Sequence, residues 1–159
     1  HYNSDYSLKK RYGNLIPAVP NNGINSIYED HFGNIWVCTW GGGLYKYLKN
    51  TDTFMSFPTL GANNNPFKIF QDKDDQYWIL TWGDGIYRFH PDATEDKMYT
   101  HQEIFNEKLH QPETAFFSVV QDDVYGYIWI FGYHELYAFK VADGHLEKVD
   151  LSSYMFDYN

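Results

Sequence analysis

Apolar and polar residues alternate in short runs along this chain, and residues that favour turns bound each run. The first copy of the pattern has runs at 24–29, 35–39, 44–48 and 53–57. Runs of this length between turns rich in aspartate and glycine predict β-strands. Apolar side chains occupy both faces of the second run, where Trp36 and Cys38 alternate with Val37. We therefore expect each sheet to be packed between neighbouring sheets.

The four-strand pattern repeats along the chain. Asp30 and Trp36 recur 42 residues later as Asp72 and Trp78, and a looser third copy has its tryptophan at Trp129. Four-stranded units of about 40–45 residues are typical of β-propeller blades. The repeats therefore predict an all-β fold, a partial β-propeller of about three four-stranded antiparallel blades plus a fragment of a fourth.

We predict no domain boundary in the chain, so that 1–159 forms a single partial propeller, which is divided into blades. The end of a preceding blade and a connection occupy 1–23, with a strand of that blade near 7–12. The three blades follow at 24–65, 66–115 and 116–159, and the second of them includes a long connection.

The charge balance excludes several classes of partner. The net charge is −9, from 12 basic and 21 acidic residues, and Arg11 and Arg88 are the only arginines. Nucleic-acid binding requires a clustered basic surface, and contact with anionic membranes has the same requirement. We therefore expect no nucleic-acid partner and no direct membrane contact in this chain.

The turns between the second and third strands carry the candidate ligand contacts, which are Trp40, Trp82, Tyr133 and His134. Aromatic rings exposed on one face of a propeller offer flat apolar platforms to the C–H faces of sugars, and Asn63–Asn65 add amides nearby. An alternative stays open for the two tryptophans, because residues that recur in a repeat also serve to pack neighbouring blades together. The mid-strand tryptophans, by contrast, are expected in the core.

Other chemical signals in the sequence are weak. The seven histidines are scattered without the spacing of zinc ligands, and the acidic run at 72–75 lacks the glycine and glutamate of an EF-hand loop. Cys38 is the only cysteine and is expected to be a packed thiol. No spacing of acids singles out a catalytic pair. We expect no catalytic residue, metal site or cofactor, and we do not expect an enzyme.

The pattern I-x-x-I-x-x-D-x-x-G-x-I-W-V-x-T-x-x-G-G-L-Y, from Ile24 to Tyr45, resembles the two-component regulator propeller repeat. The resemblance extends over 24–57, 66–99 and 116–150. The second copy has Asp75 where the pattern has its first glycine, and the third copy replaces the T-x-x-G-G-L signature with the residues from Phe131 to Leu136.

The resemblance implies a function in signal transduction. Such repeats build the extracytoplasmic sensors of hybrid two-component histidine kinases, best known from gut Bacteroides. The resemblance implies that the chain is a periplasmic sensor segment of an inner-membrane protein. Such a segment is expected to detect an oligosaccharide and to signal to a histidine kinase in the parent protein. The alternative is a structural interaction or dimerisation module without its own small-molecule site.

Three blades are too few to close a propeller ring of the kind this family forms. Open blade flanks expose apolar sheet faces, and such faces favour self-association. We therefore expect a homo-oligomer that forms through these flanks. The sequence leaves open the identity of the ligand and whether this segment binds it, as well as the number of blades and the domain order of the parent protein.

Overall fold

A computed structural model of the chain describes residues 3–10, 23–57, 65–90, 108–110, 115–133 and 135–151, with only the backbone described at 108–110. Within these residues the chain forms twelve β-strands in three four-stranded antiparallel sheets. The first sheet contains β1 (Ile24–Glu29), β2 (Ile35–Thr39), β3 (Gly43–Leu48) and β4 (Thr53–Ser56). The second contains β5 (Pro66–Gln71), β6 (Tyr77–Thr81), β7 (Ile86–Phe89) and β8 (Lys108–His110). The third contains β9 (Phe116–Asp122), β10 (Tyr127–Gly132), β11 (Leu136–Lys140) and β12 (His145–Lys148).

Each sheet is an antiparallel meander, in which strands that are consecutive in sequence are hydrogen-bonded neighbours. The first strand of each sheet is its inner strand, and β5 lies between β1 and β9. The three sheets therefore stack side by side along their inner strands. This arrangement confirms the predicted all-β partial propeller. None of the described segments forms a helix with the length and hydropathy that crossing a membrane requires. The predicted strand near 7–12 lies partly outside the described residues.

The core lies in two layers, one on each side of the second sheet. Tyr77 and Ile79 of β6 pack against the first sheet, whereas Trp78 and Leu80 of the same strand pack against the third. This alternation confirms the expectation that apolar residues on both faces of a strand belong to a sheet packed between two others. The other buried members of the first layer are Trp36, Cys38, Leu44, Phe57, Ile69, Tyr87 and Phe89. The second layer adds Ile86, Phe116, Val119, Ile128, Ile130, Tyr137 and Phe139.

An aspartate closes the first turn of each sheet and fixes the strand that follows, and it is buried in the first two sheets. Asp30 Oδ1 accepts hydrogen bonds from the backbone N–H groups of Phe32 (3.0 Å) and Asn34 (2.7 Å). Its Oδ2 accepts from Trp36 Nε1 at 2.8 Å and from the Tyr77 hydroxyl at 2.5 Å, so the carboxylate also joins the first sheet to the second. The same residue therefore shapes the turn, orients the core tryptophan and connects two sheets.

The turn aspartates of the other two sheets make similar hydrogen bonds, and the bond to the tryptophan is weaker in the third sheet. Asp72 accepts from two backbone N–H groups of its turn and from Trp78 Nε1 at 2.8 Å. In the third sheet the bond from Trp129 Nε1 to Asp122 lengthens to 3.5 Å. Trp129 is only half-buried, because none of the described sheets covers its face.

A glutamine contact joins consecutive sheets at the same end as the aspartate turns. Gln71 Oε1 accepts from the backbone N–H of His31 at 2.7 Å, and Gln121 Oε1 accepts from the backbone N–H of Lys73 at 3.0 Å. Each glutamine immediately precedes the turn aspartate of its own sheet, and each donor immediately follows the turn aspartate of the sheet before. The two inter-sheet interfaces therefore share this glutamine contact.

We expect Asp30→Asn to lower the free energy of unfolding by about 2–3 kcal/mol, because the amide cannot accept all the bonds that the buried carboxylate accepts. Urea unfolding measures this loss. Asp122→Asn is the matched control, since its indole contact is long and half-buried, and we expect it to cost less than about 1 kcal/mol. Equal losses in the two variants would contradict the assigned importance of Asp30.

The pH dependence of stability gives a second check on the same carboxylate. Burial alone would raise the pKa of Asp30, but hydrogen bonds from Trp36, Tyr77 and Asn34 outweigh burial and hold that pKa below its ordinary value. A lowered pKa in the folded state stabilises the fold above the unfolded-state value of about 4, and this contribution is lost as the pH falls through the folded-state pKa.

We therefore expect the difference in unfolding free energy between wild type and Asp30→Asn to be constant above about pH 5 and to narrow below about pH 4. Urea titrations at a series of pH values from neutral to acid measure it. A difference that stays constant down to the lowest pH at which the chain folds would show that Asp30 has no lowered pKa.

Candidate ligand-binding face

The aromatic residues that follow the second strand of each sheet occupy equivalent positions at one end of the stacked sheets. The backbone N–H of Trp40 donates to Gly23 O at 2.8 Å, and that of Trp82 donates to Asn65 O at 2.9 Å. The backbone N–H of Tyr133 donates to Ala115 O at 3.1 Å. Each bond ties the residue to the chain just before the inner strand of its own sheet, so the three side chains are placed alike.

The turns beyond these residues differ between the sheets. In the first two, a threonine hydroxyl closes the turn by donating to a glycine carbonyl, from Thr39 to Gly43 at 2.8 Å and from Thr81 to Gly85 at 2.7 Å. Both glycines have positive φ, a backbone conformation that residues with a side chain rarely adopt. The third sheet instead closes its shorter turn with a backbone bond from Gly132 to Glu135 at 2.7 Å. This is the turn in which the third copy departs from the repeat pattern.

The two tryptophans contact each other across the interface between the first and second sheets. Their ring centroids are 5.5 Å apart at an interplanar angle of 70°, an edge-to-face arrangement. Each side chain nevertheless remains 41% exposed, whereas Trp36 and Trp78 in the core are fully buried. Trp40 and Trp82 therefore contribute to packing between sheets and also present ring surface to solvent.

Two phenylalanines that sequence reasoning missed extend this surface. Phe117 lies 5.6 Å from Trp82 and 6.3 Å from Tyr133, and Phe67 lies 6.3 Å from Trp82 and 5.4 Å from Phe117, all between ring centroids. Both are half-buried, and Tyr133 at the end of the row is 66% exposed. We call these five residues the aromatic band; it consists of Trp40, Phe67, Trp82, Phe117 and Tyr133.

The two phenylalanines reach the band because each lies at a β-bulge. Pro66 pairs with Thr81 and Lys68 pairs with Leu80, which leaves Phe67 between them without a partner on β6. Phe117 occupies the same position in β9, between paired neighbours. A bulge breaks the two-residue alternation of a strand and redirects one side chain. An aromatic residue at the start of β5 and of β9 was the available signal in the sequence.

Hydrogen bonds join the first and second sheets at this end. Asn25 Nδ2 donates to Pro66 O at 2.9 Å, and Ser26 Oγ donates to Phe67 O at 3.0 Å. Asn65 Oδ1 accepts from the backbone N–H of Gly41, so the buried amide of Asn65 is engaged in this interface. The suggestion that Asn65 offers its amide to a ligand is therefore not supported, and residues 63 and 64 lie outside the described part of the chain.

The candidate contacts are thus partly brought together. Trp40, Trp82 and Tyr133 all belong to the aromatic band, with Phe117 between the last two. His134 lies outside the described residues. Among the residues that the structure does describe, no group of three histidine, cysteine or acidic side chains could hold a metal ion.

Cys38 lies in the first core layer, away from the band. Burial raises the pKa of its thiol to about 12. The thiol is therefore protonated at neutral pH, and a protonated, buried thiol is a poor nucleophile. Cys38 behaves as the packed thiol that its mid-strand position predicts.

Comparison with known protein families gives a match to one family model. Residues 18–41 match the family model described as "Two component regulator propeller". No curated protein matches the chain.

Several solved structures share the fold. The extracellular domain of a one component system from B. thetaiotaomicron is 22% identical with a TM-score of 0.63, over 87% of this chain and 18% of that one. The extracellular domain of a hybrid two component system from the same organism is 17% identical with a TM-score of 0.59, over 89% of this chain and 20% of that one. Virginiamycin B lyase from Staphylococcus aureus is 15% identical with a TM-score of 0.60, over 82% and 42%.

These structural similarities establish the fold alone. The chain spans less than a quarter of the length of the two extracellular domains. The family match lies on the segment that leads into the first sheet and runs through β2 to Trp40 and Gly41. Within the described residues, β1 and β2 of this β-propeller segment therefore match the two component regulator propeller model.

Proposed function

We propose that this chain is a ligand-sensing segment of an extracytoplasmic propeller, in a protein that signals to a histidine kinase. The match at residues 18–41 and the fold shared with two extracellular domains of B. thetaiotaomicron signalling proteins support this assignment. The proposal gives the chain a binding role and no catalytic step.

The observation that carries the binding role is the partial exposure of Trp40 and Trp82 within a continuous row of rings. Residues that only pack sheets together become buried, as Trp36 and Trp78 do. The rings of the aromatic band meet edge to face at these contacts, and Trp40, Trp82 and Tyr133 keep exposed surface that a ligand can contact.

The chemistry of the band favours a neutral oligosaccharide. Ring faces bind the C–H faces of sugars, and a row of rings across three sheets suits a ligand of several units. The net charge of −9 disfavours an anionic ligand, because long-range repulsion slows and weakens its approach.

The position of the band suggests how binding becomes a signal. Its five rings come from three sheets, and at this end the second and third sheets meet through ring contacts such as Phe67–Phe117 and Trp82–Phe117. A ligand that contacts rings from different sheets binds more tightly at some inter-sheet angles than at others, because the positions of the rings change with the angle. Such differential contact is what shifts a conformational equilibrium, which attached domains would carry to the kinase.

We expect Trp40→Ala and Trp82→Ala each to weaken oligosaccharide binding about tenfold or more, because each removes a ring platform from the band. Calorimetry and tryptophan fluorescence with cellohexaose, xylohexaose, laminarihexaose and mannohexaose measure the affinity. Tyr125→Ala is the control, since Tyr125 is an exposed aromatic residue on the turn before β10, outside the band. The binding proposal fails if none of the four sugars binds, or if both tryptophan variants bind as the wild type does.

A second candidate function is an interaction module, and the outward face of the third sheet favours it. On this face Val120 is 51% exposed and Phe131 is 41% exposed, beside the half-buried Trp129. The equivalent residues of the earlier sheets, such as Trp36 and Trp78, are covered by the next sheet. The face therefore has the composition of an inter-sheet interface, and we propose that copies of the chain associate through it.

We expect Val120→Lys to weaken self-association about tenfold or more, because it places an unpaired charge in an apolar contact. Light scattering over a dilution series measures the mass. Val124→Lys is the matched control, since Val124 is exposed on the neighbouring turn and not on the sheet face. A wild-type chain that is monomeric at every concentration would exclude self-association through this face.

A further inference from the structure

The two ends of the aromatic band differ in chemistry. In the second sheet the bulge residue Phe67 lies 6.3 Å from Trp82, and in the third sheet the bulge residue Phe117 lies 6.3 Å from Tyr133, between ring centroids. The residue at the equivalent bulge position of the first sheet, the sheet that carries Trp40, is Asn25. An amide thus takes the place that a ring takes in the other two sheets.

The backbone does not impose this difference. Ile24 pairs with Thr39 and Ser26 pairs with Cys38, so Asn25 is left out of the pairing just as the two phenylalanines are. One backbone conformation therefore accepts either an amide or a ring at this position. The choice of residue changes the surface of the band and leaves the fold of the sheet the same.

Asn25 offers a hydrogen-bonding group at the first-sheet end. Its Nδ2 donates to Pro66 O at 2.9 Å, which fixes the orientation of the amide. No described residue donates a hydrogen bond to its Oδ1, and the side chain is half-buried, so this oxygen is an oriented acceptor that water or a ligand hydroxyl can reach. This acceptor and the exposed ring of Trp40 belong to the same end of the first sheet, and an acceptor with a ring face is the combination that one sugar unit requires.

The other end of the band is nearly apolar. Four rings converge there, with Phe117 at 5.4 Å from Phe67 and 5.6 Å from Trp82. The side chains of these rings carry only two polar atoms, the Trp82 indole nitrogen and the Tyr133 hydroxyl oxygen. An apolar substituent therefore matches the side chains at this end more closely than the hydroxyl groups of a sugar unit do.

We propose that the aromatic band binds a substituted glycoside, with a sugar unit on Trp40 and Asn25 and an aryl or acyl substituent on Phe67, Trp82 and Phe117. This inference rests on the proposed binding function of the band and specifies its ligand class. The substituent carries no negative charge, because the chain is acidic.

Matched methyl and phenyl β-glycosides of glucose, galactose, mannose and xylose test this inference by calorimetry on the full chain. For at least one sugar we expect the phenyl glycoside to bind roughly tenfold more tightly than the methyl glycoside, since the phenyl group adds an edge-to-face or stacked contact. Phe117→Leu keeps an apolar side chain but removes the ring, and we expect it to abolish most of this preference.

Two variants of Asn25 test the sugar end. Asn25→Leu removes the acceptor, so we expect it to weaken the methyl and phenyl glycosides by the same factor. Asn25→Gln keeps both an amide donor and an acceptor oxygen, so we expect it to bind more tightly than Asn25→Leu. Circular dichroism and thermal unfolding establish that each variant is folded.

The outcomes separate this inference from the proposed function. If methyl and phenyl glycosides bind equally, or if Phe117→Leu leaves the preference unchanged, the substituted-glycoside inference is wrong and oligosaccharide binding is unaffected. If no glycoside pair binds but a hexaose does, the inference is also wrong and the band binds unsubstituted glycans. If neither class binds, both proposals fail.

Discussion

The bond between a turn carboxylate and the indole of the following strand is the contact on which the three sheets depend. A β-strand that shifts by one residue exchanges its two faces, so each sheet of this stack requires a fixed register. Asp30 supplies it, since one oxygen binds the backbone of the turn and the other binds Trp36. The carboxylate thereby determines which side chains of β2 face the second sheet.

Once the register is fixed, the rest of the architecture follows from alternation. Trp36 and Cys38 point to the first core layer, and the buried residues of β6 divide between the two layers. The Tyr77 hydroxyl returns to Asp30, so the same carboxylate also connects the two sheets. The third sheet has a weaker version of this contact, consistent with its having only one described neighbour.

The sequence predicted the architecture because repetition amplifies weak signals. A single run such as Ile35–Thr39 is ambiguous, but its recurrence with the same turn and the same tryptophan identifies a strand of a repeated sheet. The repeat also located Trp40, Trp82 and Tyr133 at one end of the stack, which the structure confirms. The Asp75 substitution in the second turn is explained as well, because Asp75 adopts the positive φ that Gly33 has in the first.

What the sequence did not reveal is local and geometric. Phe67 and Phe117 escaped notice because a bulge cancels the alternation by which a strand residue is assigned to a face. Asn65 looked available for a ligand because its composition suits a loop, yet its oxygen binds Gly41 across the sheet interface. The bulge depends on the pairing with a neighbouring strand, and the bond of Asn65 depends on a neighbouring sheet. The linear pattern carries little information about either.

The glutamine contacts between sheets have a consequence for how such repeats diverge. The donors at His31 and Lys73 are backbone N–H groups, and the acceptors are the side chains of Gln71 and Gln121. The side chains at 31 and 73 therefore take no part in the bond, and they already differ in chemistry. Mutation can alter the outer surface at these positions without changing the inter-sheet bond. Only replacement by proline, which has no N–H, would remove the donor. Successive blades can therefore carry different side chains at the donor position, as His31 and Lys73 do, and keep the same bond between sheets.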